Sequence, residues 1–411
     1  MESVCRQIFI CTKVYGEEIS GTDWTRKGIG GMQESIEKVN GIVNKDALAE
    51  TACHELLTYG IWDGKTRCKQ WVKKYLLRRQ IAPEDLIFWT TGLLAVGLWK
   101  YRQKLSAEIS VQADVHAVES GTKTAQINKA LTAYYERWIR KGCPISYVDD
   151  LLAGEVMLSA CEEYLKTGQG SDLINAQNAD VYRDAVEKLA AYGLNYSTDE
   201  TGSFLYRAAQ NNGYIFVDSI GLACPFLYRY GVVFERENAV ELAVKQIVNF
   251  LAYGMDGSTG LPYHGYVIQN ACKYGIIGWG RAVGWLLRGM TGCMISEYGM
   301  ERLTEPYVSL IDTVLAYQRG DGYFSWQLQA ADGPADTSAT GMICVALKQG
   351  MEFSILTEPK YEQALQAGIH AIGKSVRDGK VFDCSGECEG FGQYPQRYGA
   401  YPWALGPALM L

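Results

Sequence analysis

The sequence predicts an all-α protein whose helices form a two-layer ring, inner helices enclosed by outer ones. Three observations predict it. Apolar residues recur with a helical period along most of the chain. Some of those stretches are apolar on every side, as helices with neighbours on both sides are. No linker rich in Pro, Gly or Ser divides the 411 residues, and alternating strand patterns are short and scarce. Helical hairpins stacked in a ring let so many amphipathic helices share one core.

Taken in order, helical periods run near 47–60, 66–78, 86–104, 125–140, 150–166, 178–193, 219–230, 237–252, 281–298, 305–318, 337–350, 360–374 and 401–411. In 237–252, Val240, Ala243, Val244, Ile247, Val248 and Leu251 recur at i, i+3, i+4, i+7, i+8 and i+11, one helix face. Residues 88–99 (FWTTGLLAVGLW) and 148–160 are apolar all round and belong to the inner layer. Turn signals separate the helices, among them Asp199-Glu-Thr-Gly202, Asp256-Gly-Ser-Thr-Gly260 and Gly320-Asp-Gly322. Short strands are expected at 323–326 and 379–382. Residues 1–45 show no clear period and are expected to cap the core, so that 1–411 forms a single domain.

Hydrophobic residues make up 48% of the chain and charged residues 21%, which excludes a disordered chain, a collagen and a coiled-coil rod. The net charge is −7, without the basic excess of a general nucleic-acid binder, so no nucleic-acid partner is expected. An anionic substrate would need local cations, because the overall field opposes it. No run of about 18 uncharged apolar residues occurs, so no membrane partner is expected. The first residues lack the basic start and apolar stretch of a signal peptide. Of the 12 cysteines, Cys161, Cys224, Cys293 and Cys344 fall in apolar helical patterns as small hydrophobes. A cytoplasmic protein with reduced thiols is expected.

Several residues are candidates for chemistry. Asp218 opens the apolar helix near 219–230 directly after Tyr214-Ile215-Phe216-Val217. It reads as an N-cap, or as an acid whose pKa desolvation raises so that it keeps a proton to donate. Asp149-Asp150 stands at the head of another inner helix; one of the two caps it, and the other pairs with Asp218 as glycosidic chemistry requires. In Trp279-Gly280-Arg281-Ala-Val-Gly284-Trp285, Arg281 and Trp285 share a helix face. A guanidinium between indoles suits a sugar acid, or stacks on a core Trp by cation–π contact. His264 lies in a loop between helices, where histidines bind ligands more often than in the core. Asp336-Thr-Ser338 reads as a helix start with Asp336 as N-cap, and Ser338 offers a hydroxyl from the first turn. Cys384 and Cys388, without a second pair or a nearby His, are a poor zinc signal. Gly28-Ile-Gly30-Gly31 follows no strand and is a poor nucleotide loop.

Together these residues resemble the unsaturated uronyl hydrolases, the glycoside hydrolase families of unsaturated glucuronyl and unsaturated rhamnogalacturonyl hydrolases. The resemblance covers roughly residues 85–411. It is carried chiefly by Trp279-x-Arg281-x-x-x-Trp285 and by Phe216-Val-Asp218 followed by Cys224-Pro225-Phe226-Leu227. Phe88-Trp89-Thr-Thr-Gly92, Val148-Asp149-Asp150 with Gly154, Asp336-Thr-Ser-Ala-Thr340 and Tyr401-Pro-Trp403 support the order along the chain. The offset to Gly154 favours Asp149 as the second aspartate. The resemblance implies an (α/α)6 barrel that needs no cofactor and no metal. It implies as substrate partner an oligosaccharide with a 4,5-unsaturated uronic acid at its non-reducing end, released by hydration of the vinyl ether. It implies Asp218 as general acid and base, assisted by Asp149. His264, Trp279, Arg281, Trp285, Phe216 and Ser338 are implied on the substrate. Phe216 stands where the families commonly have Trp, and Tyr206 or Arg207 where they often have His; both bear on the sugar after the uronate. An inverting hydrolase or a sugar epimerase or isomerase on the same architecture is the alternative.

Overall fold

A computed structural model of the chain describes residues 43–61, 68, 72, 86–111, 115–168, 173–206, 213–390 and 392–411. Nearly all of the expected helix at 66–78 and of the expected cap, and the whole Gly28-Ile-Gly30-Gly31 stretch, lie outside the described residues. Among them the helices are α1 (Lys45–Thr58), α2 (Trp89–Val111), α3 (Val115–Arg140), α4 (Gly154–Thr167), α5 (Ala179–Leu194), α6 (Asp218–Val233), α7 (Glu237–Tyr253), α8 (Gly280–Cys293), α9 (Glu297–Leu315), α10 (Thr337–Glu352), α11 (Pro359–Lys374) and α12 (Pro402–Met410). A 3-10 turn, Val148–Ala153, leads into α4.

The inner layer is a closed ring. α2 packs on the 3-10 turn and α4, these on α6, then α6 on α8, α8 on α10, α10 on α12, and α12 returns to α2. Outside it, α3 lies on α2, α5 on α4, α7 on α6, α9 on α8, α11 on α10, and α1 on α2 and α12. This is the (α/α)6 barrel. Each inner helix from α2 to α10 is followed by an outer one that returns the chain, so the inner helices start at one end of the barrel.

Burial divides the layers as the apolar patterns predict. α6, α8, α10 and α12 are buried along most of their length. α7 buries one face, but that face is Ala239, Ala243, Val244, Gln246, Ile247 and Phe250, while Val248 is exposed. The buried face is turned from the one the apolar spacing marks, because Gln246 is needed inside. Its amide donates to the Gly202 carbonyl at 2.8 Å and accepts from the Phe204 N–H at 2.8 Å. α9 begins at Glu297 rather than near 305 and runs through Pro306. Pro306 is only partly buried, so water can bond the carbonyl it leaves free. Pro225 poses the same problem inside buried α6. Its missing N–H frees the Gly221 carbonyl, and Arg288 donates to that oxygen instead. Arg288 is held there by both oxygens of Glu155, each at 2.8 Å.

The ring closes where α2 crosses α12. A Cβ on Gly97 would lie 2.4 Å from the Gly406 carbonyl oxygen, and one on Gly406 would lie 2.6 Å from that of Leu93. Both obstacles are backbone, so neither yields cheaply. Gly97→Ala should therefore destabilise the protein by roughly 1–3 kcal/mol through overpacking, although alanine is the better helix former. Urea denaturation measures it; an unchanged or raised midpoint would show that the two helices can separate at no cost.

Strands are few and short. β1 (Ile215–Phe216), β2 (Gly265–Val267) and β3 (Cys272–Tyr274) form an antiparallel sheet, with Phe216 opposite Gly265. β4 (Val376–Arg377) pairs with β5 (Lys380–Val381), the strand expected at 379–382. β6 (Cys384–Ser385) pairs with β7 (Tyr398–Gly399). The strand expected at 323–326 is reduced to one bridge, Ser325 with Ala335. Among the described residues, no helix is long and apolar enough to cross a membrane.

Candidate active site

The β1–β2 pairing sets two candidate residues face to face. β1 ends one residue before Val217, whose N–H donates to the His264 carbonyl at 3.0 Å. Asp218 then opens α6, and His264 immediately precedes β2. His264 Nε2 lies 3.0 Å from Asp218 Oδ2. The imidazole is 0% exposed, whereas the Asp218 side chain keeps 18% of its surface open. Rings enclose the pair: Phe216 at 4.7 Å and Trp279 at 4.6 Å from the imidazole centroid. Phe216 is itself stacked on Tyr206, 4.0 Å apart and 10° from parallel.

Asp149 and Asp150 separate into two roles. Asp150 is fully buried, and its Oδ2 accepts from the N–H groups of Ser146 at 2.8 Å and Tyr147 at 3.1 Å, the cap of the 3-10 turn. Asp149 is only partly buried on the same turn, which packs against α6.

Arg281 and Ser338 come together, in a network the spacing did not show. Arg281 is 2% exposed. Its guanidinium donates to the Ser385 carbonyl at 2.8 Å, to Ser385 Oγ at 2.5 Å, to the Gly386 carbonyl at 2.6 Å and to Ser338 Oγ at 3.3 Å. Asp336, fully buried and N-cap of α10, accepts from Ser338 N–H at 2.9 Å, Ser338 O–H at 2.6 Å and Ser385 O–H at 2.6 Å. It lies 3.8 Å from the guanidinium. Trp279 and Trp403 flank Arg281 at 4.8 and 5.7 Å. Trp285 is buried one turn further along α8, edge-on to Trp89 at 5.9 Å. Gly280 and Gly284 face Ala339 and Met342 of α10, so their small size admits a helix.

Sequence reasoning missed three members of this cluster. Ser385 ties Arg281 to Asp336, and Trp403 donates its indole N–H to the Ser385 carbonyl at 3.0 Å. Tyr394 places its hydroxyl 2.8 Å from His264 Nδ1. Cys388 lies near enough that burial, then the Asp218 carboxylate, push its thiol up to about 12. The signal for Ser385 and Cys388 was the apparently idle segment 384–390; for Tyr394 there was none. Among the described residues, no group of three or more His, Cys, Asp or Glu side chains is placed to hold a metal ion.

The arrangement presents a partly exposed carboxylate beside a buried imidazole, walled by aromatic rings, at the end of the barrel where the inner helices start. Comparison with known proteins places the chain in a family. The model of glycosyl hydrolase family 88 matches residues 115–411. The chain is 25% identical over 250 residues to unsaturated rhamnogalacturonyl hydrolase YesR of Bacillus subtilis, covering 56% of this chain and 69% of that one. It is 30% identical over 107 residues to an unsaturated 3S-rhamnoglycuronyl hydrolase of an Alteromonas species, covering 24% of this chain and 26% of that one. In fold it is similar to a possible GH105 family member from Salmonella enterica, with a TM-score of 0.69, 17% identity and 89% and 92% of the two chains covered. It is likewise similar to the unsaturated glucuronyl hydrolase of Bacillus sp. GL1, with a TM-score of 0.57, 16% identity and 89% and 93% covered.

Proposed function

Because the chain belongs to glycosyl hydrolase family 88 and is a glycoside hydrolase, we propose that it releases a 4,5-unsaturated uronic acid from the non-reducing end of lyase-generated oligosaccharides by hydrating the vinyl ether. The observation that carries this reading is the Asp218–His264 pair, a partly exposed carboxylate oriented by a buried imidazole inside an aromatic wall. Protonated Asp218 gives its proton to C4 of the unsaturated ring. Water attacks C5 and returns a proton to the carboxylate, which ends ready for another cycle. The hemiketal at C5 opens to a ketone, its ring oxygen stays on C1, and C1 then expels the aglycone alcohol and becomes an aldehyde. One water is consumed in all.

Asp149 assists from the 3-10 turn. Phe216 and Trp279 face the ring, and Arg281, Ser338 and Trp285 form the wall behind them, with Arg281 supplying positive charge toward the uronate carboxylate. Asp150, committed to its cap, stays outside the reaction. The Tyr206–Phe216 stack lies beside the acid and shapes the site of the following sugar. Neither cofactor nor metal has a part in these steps.

Product labelling tests the reaction. Disaccharides made by lyases from pectin and glycosaminoglycans are screened for loss of the ultraviolet absorbance of the conjugated double bond. With the active substrate, turnover in deuterated water should place one deuterium at C4. Heavy-oxygen water should label C5, and the aglycone should keep its glycosidic oxygen. Early time points, with isolated product as control, separate this from slow exchange beside the C5 ketone. Heavy oxygen at C1 with C4 unlabelled would instead establish an inverting hydrolase that protonates the leaving oxygen.

A further inference from the structure

We propose that Tyr394 holds His264 in a single tautomer, with its proton on Nε2, so that the proton Asp218 transfers is carried on Oδ1. The inference rests on the reading of Asp218 as the acid, but its structural half stands without it.

Hydrogen-bond directions at this site are fixed from the backbone outward. The N–H of Ile276 points at Tyr394 Oη, 3.4 Å away. A backbone amide is only a donor, so the phenol oxygen accepts there and its own hydrogen is directed elsewhere. The next polar atom is His264 Nδ1, at 2.8 Å. Burial raises the Tyr394 pKa well above its ordinary value, so the phenol keeps its hydrogen throughout the neutral range. Tyr394 therefore donates to Nδ1. A neutral imidazole that accepts on one nitrogen carries its hydrogen on the other. His264 thus donates from Nε2 to Asp218 Oδ2 across 3.0 Å. Oδ2, occupied as an acceptor, is the poorer place for the acid's proton. Oδ1 makes no hydrogen bond among the described residues and is the oxygen left to carry it.

The surroundings fix this chain of donors in place. The Tyr394 ring is packed against Trp279 at 5.5 Å and Trp326 at 6.2 Å. Gly275 stands beneath the contact with a φ of +81°, and a Cβ there would lie 2.5 Å from both His264 Cβ and Tyr394 Oη. A larger residue would push the hydroxyl and the imidazole apart. Tyr394 and His264 are 130 residues apart in sequence and are brought together only by the fold, beside Gly275. Tyr394 is a positioning residue: it acts on the reaction through His264.

Two measurements test this on the full chain. The protein has 4 histidines, so nitrogen-15 labelling of histidine gives a small set of ring signals, and His264→Gln identifies the pair that belongs to His264. Its shifts should report hydrogen on Nε2 and none on Nδ1. In Tyr394→Phe, which keeps the ring and removes the hydroxyl, the pair should move toward the mixed values of a free imidazole. Hydrogen on Nδ1 in the unaltered protein, or shifts that do not respond to Tyr394→Phe, would overturn the inference, whatever the reaction proves to be. In turnover, Tyr394→Phe should lower kcat roughly 5-fold, the loss of about one hydrogen bond, and leave KM within about 2-fold. A raised KM with kcat unchanged would make Tyr394 a substrate contact and overturn its positioning role. If Tyr394→Phe moves the imidazole shifts while Asp218→Asn remains active, the tautomer stands and the assignment of the acid falls.

Discussion

Asp218→Asn lowers kcat by at least about 100-fold, the low end for general acid–base catalysis, and leaves the protein folded. The substitution suits the site. Asparagine has the shape of aspartate, and its amide oxygen still accepts the hydrogen bond from His264 Nε2, so the β1–β2 pairing and the start of α6 are undisturbed. What is lost is the transferable proton, since a carboxamide neither donates to C4 nor takes a proton from the attacking water. Loss of the substrate's ultraviolet absorbance measures the rate, and circular dichroism with a melting curve checks the fold. Substrate should still bind, because the aromatic wall of Phe216 and Trp279 remains. A variant with near-normal kcat would sink the assignment of Asp218, and Asp149 would then be examined as the acid.

How much of this was legible in the sequence depended on the range of the interactions involved. The barrel was readable because its helices are long enough to repeat their apolar period several times, and because 88–99 and 148–160 have no polar face. Exact boundaries failed where a local rule met a tertiary answer. The apolar period marks a helix only from about 305, yet α9 starts at Glu297, and a partly exposed proline, Pro306, is tolerated inside it. Val248 looked buried, yet Gln246 takes the inner face to satisfy the backbone of the 202–204 turn. The sheet β1–β2–β3 was invisible, since strands of two and three residues are too short to show alternation. That sheet is nonetheless what sets His264 against Asp218. Sequence could say that one of Asp149 and Asp150 is a cap and the other is not, but only the bonds from Ser146 and Tyr147 show that Asp150 is the cap. Arg281 was readable as a cation among indoles. Its partners were not, because Ser385 and Gly386 lie about a hundred residues away and reach it through the fold alone.

That last cluster carries the largest expected effect on stability. Asp336→Ala should destabilise the protein by about 3–5 kcal/mol, the usual loss when one partner of a buried ion pair is removed. Asp336 is 0% exposed and Arg281 is 2% exposed, so water reaches neither. Removing the carboxylate strips the N-cap of α10, which alone is worth about 1 kcal/mol. It also takes the acceptor from the hydroxyls of Ser338 and Ser385 and leaves the guanidinium without its counter-charge. The last loss should dominate, and a double-mutant cycle isolates it. In an Arg281→Met background there is no buried charge to strand, so Asp336→Ala should cost much less there. Asp336→Asn should fall between the unaltered protein and Asp336→Ala: it keeps an oxygen for the cap but not the charge. Urea denaturation of the four members of the cycle gives the coupling. Additive losses, or a total loss near the value of a helix cap, would show that Asp336 serves α10 alone and that Arg281 is held by Ser385 and Gly386 without it.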